Sequence, residues 1–229
     1  MNYKVFGDNL PGVTISLEQG ESIYTQSGCM AWMGPAIKME TNVKGGLLKG
    51  LGRMLSGESM FQATFTAQAP DQEITLASSM PGTITVLDID ADHSYIGQKG
   101  AFLAATPEVA FDVNWSKAKT GFFGGEGFVM ERFSGQGQLF VELDGSIQQL
   151  DLLPGQKVVV STSHIALFEE QVGYDVQTIK GFTNVMFGGE GLFVSTLTGP
   201  GRVWLQTMTA AGLANRLIPY MPRPSSHDD

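Results

Sequence analysis

This chain has one cysteine, three histidines and only 14 lysines and arginines among its 229 residues. A lone thiol, Cys29, cannot close an intrachain disulfide. The fold must therefore rest on its core, and a reducing compartment is expected. Cys29 itself reads as a small buried hydrophobe. Against the few cations stand 23 acidic residues, for a net charge of −9. A nucleic-acid binder needs a field of lysine and arginine to displace phosphate counterions, so the chain is read as binding no nucleic acid. The acidity reads as a solubility device. No stretch approaches the ~18 apolar residues of a spanning helix. Residues 1–10 lack the basic start and apolar run of a signal peptide. A cytoplasmic location is the expectation. No charged or Pro/Ser-rich run interrupts residues 10–207. One globular domain over 1–220 is expected, with a disordered tail over 221–229.

What the chain has in abundance is glycine, 29 residues of it, and part of that glycine is ordered into a repeated motif. Phe123-Gly124-Gly125-Glu126-Gly127 returns as Phe187-Gly188-Gly189-Glu190-Gly191, with a worn copy at Leu55-Ser56-Gly57-Glu58-Ser59. The central glycines, Gly57, Gly125 and Gly189, are 68 and 64 residues apart. That period is far longer than a solenoid rung, so each copy is expected to be one small β module. The modules are read as about 13–82, 83–145 and 146–207. A second landmark, Gly155-Gln156-Lys157, is matched to Gly97-Gln98-Lys99 and more weakly to Gly20-Glu21-Ser22.

Local pattern supports an all-β chain. Val13, Ile15 and Leu17 alternate with polar residues, as do Ile84 and Val86, and Val109, Phe111 and Val113. Period two puts alternate side chains on opposite faces, as a half-buried strand requires. Val158-Val159-Val160 and Ile165-Ala166-Leu167-Phe168 are apolar on both faces and predict strands covered on both sides. Turn signals every 8–12 residues fit a sandwich or barrel. Two short helices are predicted. One runs from Gly46 to Leu55. The other runs from Thr209 to Leu217, with Pro219 as its stop.

The recurring Gly-Gly-Glu motif, the Gly-Gln-Lys turns and the ending Val203-Trp204-Leu205-Gln206-Thr207 resemble the altered-inheritance-of-mitochondria biogenesis family. The resemblance covers roughly residues 3–220 and is of the bacterial type, without a transit peptide. It implies three β-sandwich-like modules packed as one body, each similar to a subunit of the tryptophan RNA-binding attenuation protein. It implies no assigned enzyme activity, and it suggests a subunit that assembles into a homo-oligomer, a trimer being the form considered. The attenuation protein's RNA-binding role is not carried over, since no Lys-Lys-Arg-type surface set is found.

The chemistry-bearing residues have competing readings. Glu58, Glu126 and Glu190 could converge on a pseudo-threefold axis and hold a cation or share a proton. The plainer reading is that each carboxylate accepts backbone amides in a glycine turn. No Gly-Lys-Ser/Thr follows, so the motif is no P-loop. Asp88, Asp90 and Asp92 resemble a calcium loop, but His93 and Lys99 stand where Gly and Glu are needed; an acidic strand face is expected instead. His164 reads as a hydrogen-bonded strand residue. Met30, Met33 and Met39 around Trp32 read as core filling. Leu47, Leu48, Leu51, Met54 and Leu55 share one helical face and Lys49 and Arg53 the other, at about 100° per residue. With Lys117, Lys119 and Lys180 before the other motif copies, they form a candidate contact surface for a protein partner or a membrane. No catalytic, cofactor or metal residue is assigned. The reading is a non-enzymatic scaffold or interaction protein. A small-ligand or metal-binding module at the pseudo-axis and an unrecognised hydrolase are the alternatives.

Overall fold

The computed structural model describes residues 1–42, 62–115, 130–178 and 193–221. Within them the chain is almost wholly β. A leading strand, β1 (Asn2–Phe6), precedes three sets of six. The first set is β2 (Gly12–Leu17), β3 (Ser22–Gln26), β4 (Met30–Met33), β5 (Ile37–Asn42), β6 (Gln62–Ala67) and β7 (Gln72–Ala77). The second is β8 (Gly82–Ile89), β9 (Tyr95–Gln98), β10 (Phe102–Ala105), β11 (Val109–Trp115), β12 (Met130–Gly135) and β13 (Gly137–Asp144). The third is β14 (Ile147–Leu152), β15 (Lys157–Ser161), β16 (Ile165–Glu169), β17 (Gly173–Thr178), β18 (Phe193–Thr198) and β19 (Gly201–Gln206). One helix, α1 (Ala210–Leu217), follows, where the alanine-rich segment predicts it.

Each set is wired identically. The sixth strand pairs with the first and third, and the fifth with the second and fourth, all antiparallel. Even the irregularity in the third strand recurs at one place, between Met30 and Trp32, Phe102 and Ala104, and Ile165 and Leu167. The sets are then joined through hydrogen bonds between β3 and β10 and between β9 and β16. Four sheets result, in the orders β1-β2-β7-β4, β5-β6-β3-β10-β13-β8, β11-β12-β9-β16-β19-β14 and β15-β18-β17.

Three cores lie between successive sheets. The first gathers Val13, Ile15, Ile74 and Leu76 from the first sheet with Ile23, Phe65, Ala104 and Phe140 from the second. The second joins Phe102, Leu139 and Val141 to Tyr95, Phe133, Leu167 and Trp204. The third joins Ile96, Ile165, Phe168 and Val203 to Val160 and Leu197. The alternating strands thus bury the face that their sequence predicts; Val13 and Ile15 are fully buried and Leu17 almost so.

Three sequence expectations change here. The Gly20 and Gly155 turns both enter a second strand, but Gly97 lies inside β9 and its tripeptide leads into a third strand. Tight turns look alike because a left-handed residue selects glycine at each: φ is 86° at Gly20, 86° at Gly100 and 76° at Gly155. Val159 is exposed, because β15 lies in the last sheet and, among the described residues, no further sheet covers its outer side. Trp32 and Met39 are exposed rather than core, whereas Met30 and Met33 pack half-buried on the first core.

Candidate functional site

The residues singled out from sequence, Gly57, Glu58, Gly125, Glu126, Gly189 and Glu190, lie outside the described residues, as do Leu47, Leu48, Lys49, Leu51, Arg53, Lys117, Lys119 and Lys180. So does the first predicted helix, Gly46 to Leu55. The described strands do fix where the three motif copies fall in the topology. Each connects the fourth strand of its set to the fifth, between the paired residues Asn42 and Gln62, Trp115 and Met130, and Thr178 and Phe193.

The acidic run ends its strand earlier than expected. Asp88 closes on the exposed side of β8, and Asp90 opens a turn. Asp90 Oδ1 accepts the backbone N–H of Asp92 and of His93, each at 2.9 Å, and lies 2.8 Å from His93 Nδ1. The Asp92 amide and the His93 ring hold its carboxyl below the usual range. This is an Asx-type turn; among the described residues no cluster of three His, Cys, Asp or Glu could hold a metal. His164 sits in a 3-10 turn, Thr162–His164, rather than a strand, and its Nδ1 lies 2.8 Å from the Gln206 carbonyl. Cys29 is half-buried and its thiol donates to the Gln26 carbonyl at 3.0 Å. Burial pushes it up to about 11, so the thiol is held un-ionised near neutrality.

The buried acids are elsewhere. Glu131 on β12 is fully buried and accepts the backbone N–H of Gly100 at 2.7 Å and of Phe102 at 3.2 Å. Burial raises it to about 7 against the pull of those amides. Glu142 on β13 accepts from the Ser78 hydroxyl and the Ser79 amide, both at 2.8 Å. Glu169 at the end of β16 takes the Arg202 Nε–H at 2.6 Å, the Arg202 backbone amide at 2.9 Å and the Gln171 amide at 2.8 Å. Arg202 also donates from Nη2 to the Tyr95 hydroxyl at 3.0 Å and lies 5.4 Å from the centre of the Trp204 ring. Beside it, Arg132 grips Glu170 with two bonds of 2.9 Å. Arg132–Glu170 and Arg202–Tyr95 cross from the second set to the third, while Arg202–Glu169 ties β19 to β16 within the third. Chemically they pin strands and turns. None was picked from sequence, though Glu142 inside Leu139–Leu143 and Glu169 after Ile165–Phe168 are acids embedded in apolar runs, which is the signal of a buried, partnered carboxylate.

Among the described residues, apolar side chains are exposed on the first sheet, on Met39, at Leu153 and Val159 in the third set, and at the C-terminal helix. Phe6 and Trp32 contact each other on the first sheet, ring centres 6.3 Å apart. At the other end of the chain, Leu217, Ile218, Tyr220 and Met221 are all exposed.

A family model described as mitochondrial biogenesis AIM24 matches residues 3–208. The chain belongs to the AIM24 family. An uncharacterized protein of Streptococcus pyogenes serotype M6 is 32% identical over 225 residues, which is 94% of this chain and 89% of that protein. The crystal structure of protein SPYM3_0169 from Streptococcus pyogenes superposes with a TM-score of 0.78 at 28% identity, over 96% of this chain and 99% of that one. The family drawn from the glycine motifs is thus the family found, and the described residues are mostly β, in a fold that a solved structure matches over 96% of this chain. Among the described residues, no helix is long and apolar enough to cross a membrane.

Proposed function

We propose that this AIM24-family chain is a non-enzymatic interaction protein, built of three repeats of one sandwich module, that binds a protein partner through its C-terminal helix. The observation that carries this reading is the state of α1. No residue of α1 or of the following turn, Ile218–Tyr220, is buried, and Tyr220 is 87% exposed. Leu213, Leu217 and Tyr220 recur at helical spacing along one side. An isolated helix shorter than about 12 residues is marginal in water, so α1 needs a surface for this apolar face. Its N-terminus is prepared: Thr209 Oγ1 accepts the Gly212 amide at 3.0 Å. The buried acids support the same reading, since Glu131, Glu142 and Glu169 spend their oxygens on turns and strand ties.

The test compares the full chain with a version ending at Met208. Unfolding free energies should agree within about 1 kcal/mol, since no residue of α1 is fully buried and the Ala210 amide on the half-buried Asp144 carboxylate is a modest tie. In-cell crosslinking should recover a protein partner with the full chain alone. A thermal-shift screen with metal ions and metabolites runs beside it. A ligand that raises Tm by mass action would overturn this reading in favour of a small-ligand module.

A further inference from the structure

The junctions between sets share one device. A buried side chain on a sixth strand holds an amide from the end of the preceding set. Glu142 on β13 accepts the Ser79 backbone N–H at 2.8 Å, and Gln206 on β19 accepts the Asp144 backbone N–H at 3.2 Å. Glu142 and Gln206 hold one position, each opposite an isoleucine of the first strand, Ile84 and Ile147. Ser79 and Asp144 therefore stand at matching places. The elements that follow the two sixth strands differ. β13 runs on into β14, a strand paired along its length with β19. β19 runs on into α1, and the first amides of a helix have no partner within it.

Where a helix follows, the chain carries a carboxylate instead of the serine. Asp144 accepts the N–H of Ala210, the first residue of α1. Thr209 Oγ1 takes the Gly212 amide. Two unpaired donors are thus met, one by the helix's own cap and one by the body of the protein. The neighbours of Asp144 hold the two segments together. Ser146 donates its amide to Thr207 Oγ1 at 2.9 Å, and its carbonyl accepts the Thr207 amide at 3.0 Å. Gly145, at φ 70°, lies so close to Met208 that an added Cβ would stand 2.8 Å from the Met208 Cβ. The turn between β13 and β14 therefore grips the chain from Thr207 to Ala210, while no residue of α1 is buried.

A carboxylate at this end does more than a serine would. It faces the positive end of the helix dipole as well as an amide. α1 has eight residues, short of the length at which a helix is stable alone. Its folded population therefore depends on what holds its first turn. Binding through a helix is weakened by the fraction of time that the helix is unfolded. Loss of Asp144 would thus act on affinity from outside the contact.

We infer that Asp144 is the positioning residue of the α1 contact. From the body of the protein it keeps α1 folded and fixed in direction, so that Leu213, Leu217 and Tyr220 meet the partner as one preformed apolar row. This inference rests on the reading of α1 as a partner-binding helix. The three residues, at i, i+4 and i+7, have the spacing of the anchors of a helix seated in an apolar groove, and the partner is a protein that offers such a groove.

The experiment uses the full chain as wild type, Asp144→Ala and Asp144→Asn. Asparagine keeps an oxygen for the Ala210 amide and gives up the charge. In nuclear magnetic resonance spectra the wild-type Ala210 amide proton should move as Asp144 titrates, above the ordinary aspartate range, because burial raises this carboxyl and nearby Glu142 adds to the rise. Both variants should lack that movement. Carbon shifts over Ala210–Leu217 should show a helical fraction about fivefold smaller in Asp144→Ala, with Asp144→Asn between it and wild type and the strand resonances unchanged. In-cell crosslinking should recover the partner about fivefold less with Asp144→Ala. An Ala210 amide indifferent to Asp144, or an Asp144→Ala chain with wild-type helix or wild-type recovery, would overturn this inference and leave the α1 reading in place. A chain ending at Met208 that recovers the partner as well as wild type would overturn both.

Discussion

Replacing Glu131 should remove a component of the protein's pH-dependent stability. Its carboxyl is fully buried, and burial raises it from the ordinary 4.5 to about 7. Below pH 4.5 the group is protonated in both folded and unfolded chains. Between 4.5 and 7 the folded chain holds the proton more tightly. Stability from this group is therefore complete below pH 4.5 and is lost as pH rises through 7. A gap of about 2.5 units at 1.36 kcal/mol each makes the loss about 3 kcal/mol. Ser195 and Ala63 occupy the matching position in the other two sets, so Glu131→Ser places there a residue that the strand accepts elsewhere. The variant gives up an acceptor for the Gly100 and Phe102 amides, a cost that does not vary with pH. Urea unfolding of both proteins at pH 4.5 to 8, at constant ionic strength, isolates the effect as the difference between the two curves. That difference should shrink by about 3 kcal/mol across the window, in the direction of a wild type less favoured at high pH. The exposed Asp90 titrates in both proteins and cancels. Parallel curves would refute the reasoning.

Cys29, raised by about two units, should react with a thiol reagent at pH 8 about 100-fold more slowly in the folded chain than in urea, read by absorbance. Gly137→Ala should destabilise by more than about 2 kcal/mol in chemical unfolding, because φ there is 137° and a Cβ would collide with Thr106 Oγ1. Arg202→Ala should cost about 2 kcal/mol, measured the same way, by leaving the buried Glu169 without its cation. The figure sits low for a buried pair because the Arg202 side chain is 36% exposed.

Much of the strand content was legible in the sequence, because period-two alternation is a local property and each strand displays it alone. The one described helix was legible for the same reason: Thr209, the alanines and Pro219 are neighbours. What escaped was set by distant residues. Glu131 looks like any strand-borne acid until the Gly100–Phe102 backbone is folded against it. Gly97-Gln98-Lys99 matches Gly155-Gln156-Lys157 in its letters alone, because Gly97 lies inside β9 and the left-handed glycine of its turn is Gly100. The candidate site drawn from the glutamate motif falls outside the described residues, so its legibility rests on the flanking strands alone. These do connect the same pair in every set.

Trp32, Ala104 and Leu167 make the limit of sequence reading concrete. They hold one position in three copies of one wiring, and their local surroundings are alike. Two are fully buried and one is 59% exposed. The difference is not in the residue, since the most hydrophobic surface of the three belongs to the exposed tryptophan. It lies in whether another sheet continues beside the strand. Ala104 and Leu167 sit on strands joined to the preceding set, and Trp32 sits where no set precedes. Burial at this position is therefore a property of the succession of sets rather than of any one of them. A polar residue would be the economical choice at a permanently free end. Tryptophan there leaves the largest side chain of the three in solvent, its ring centre 6.3 Å from that of Phe6.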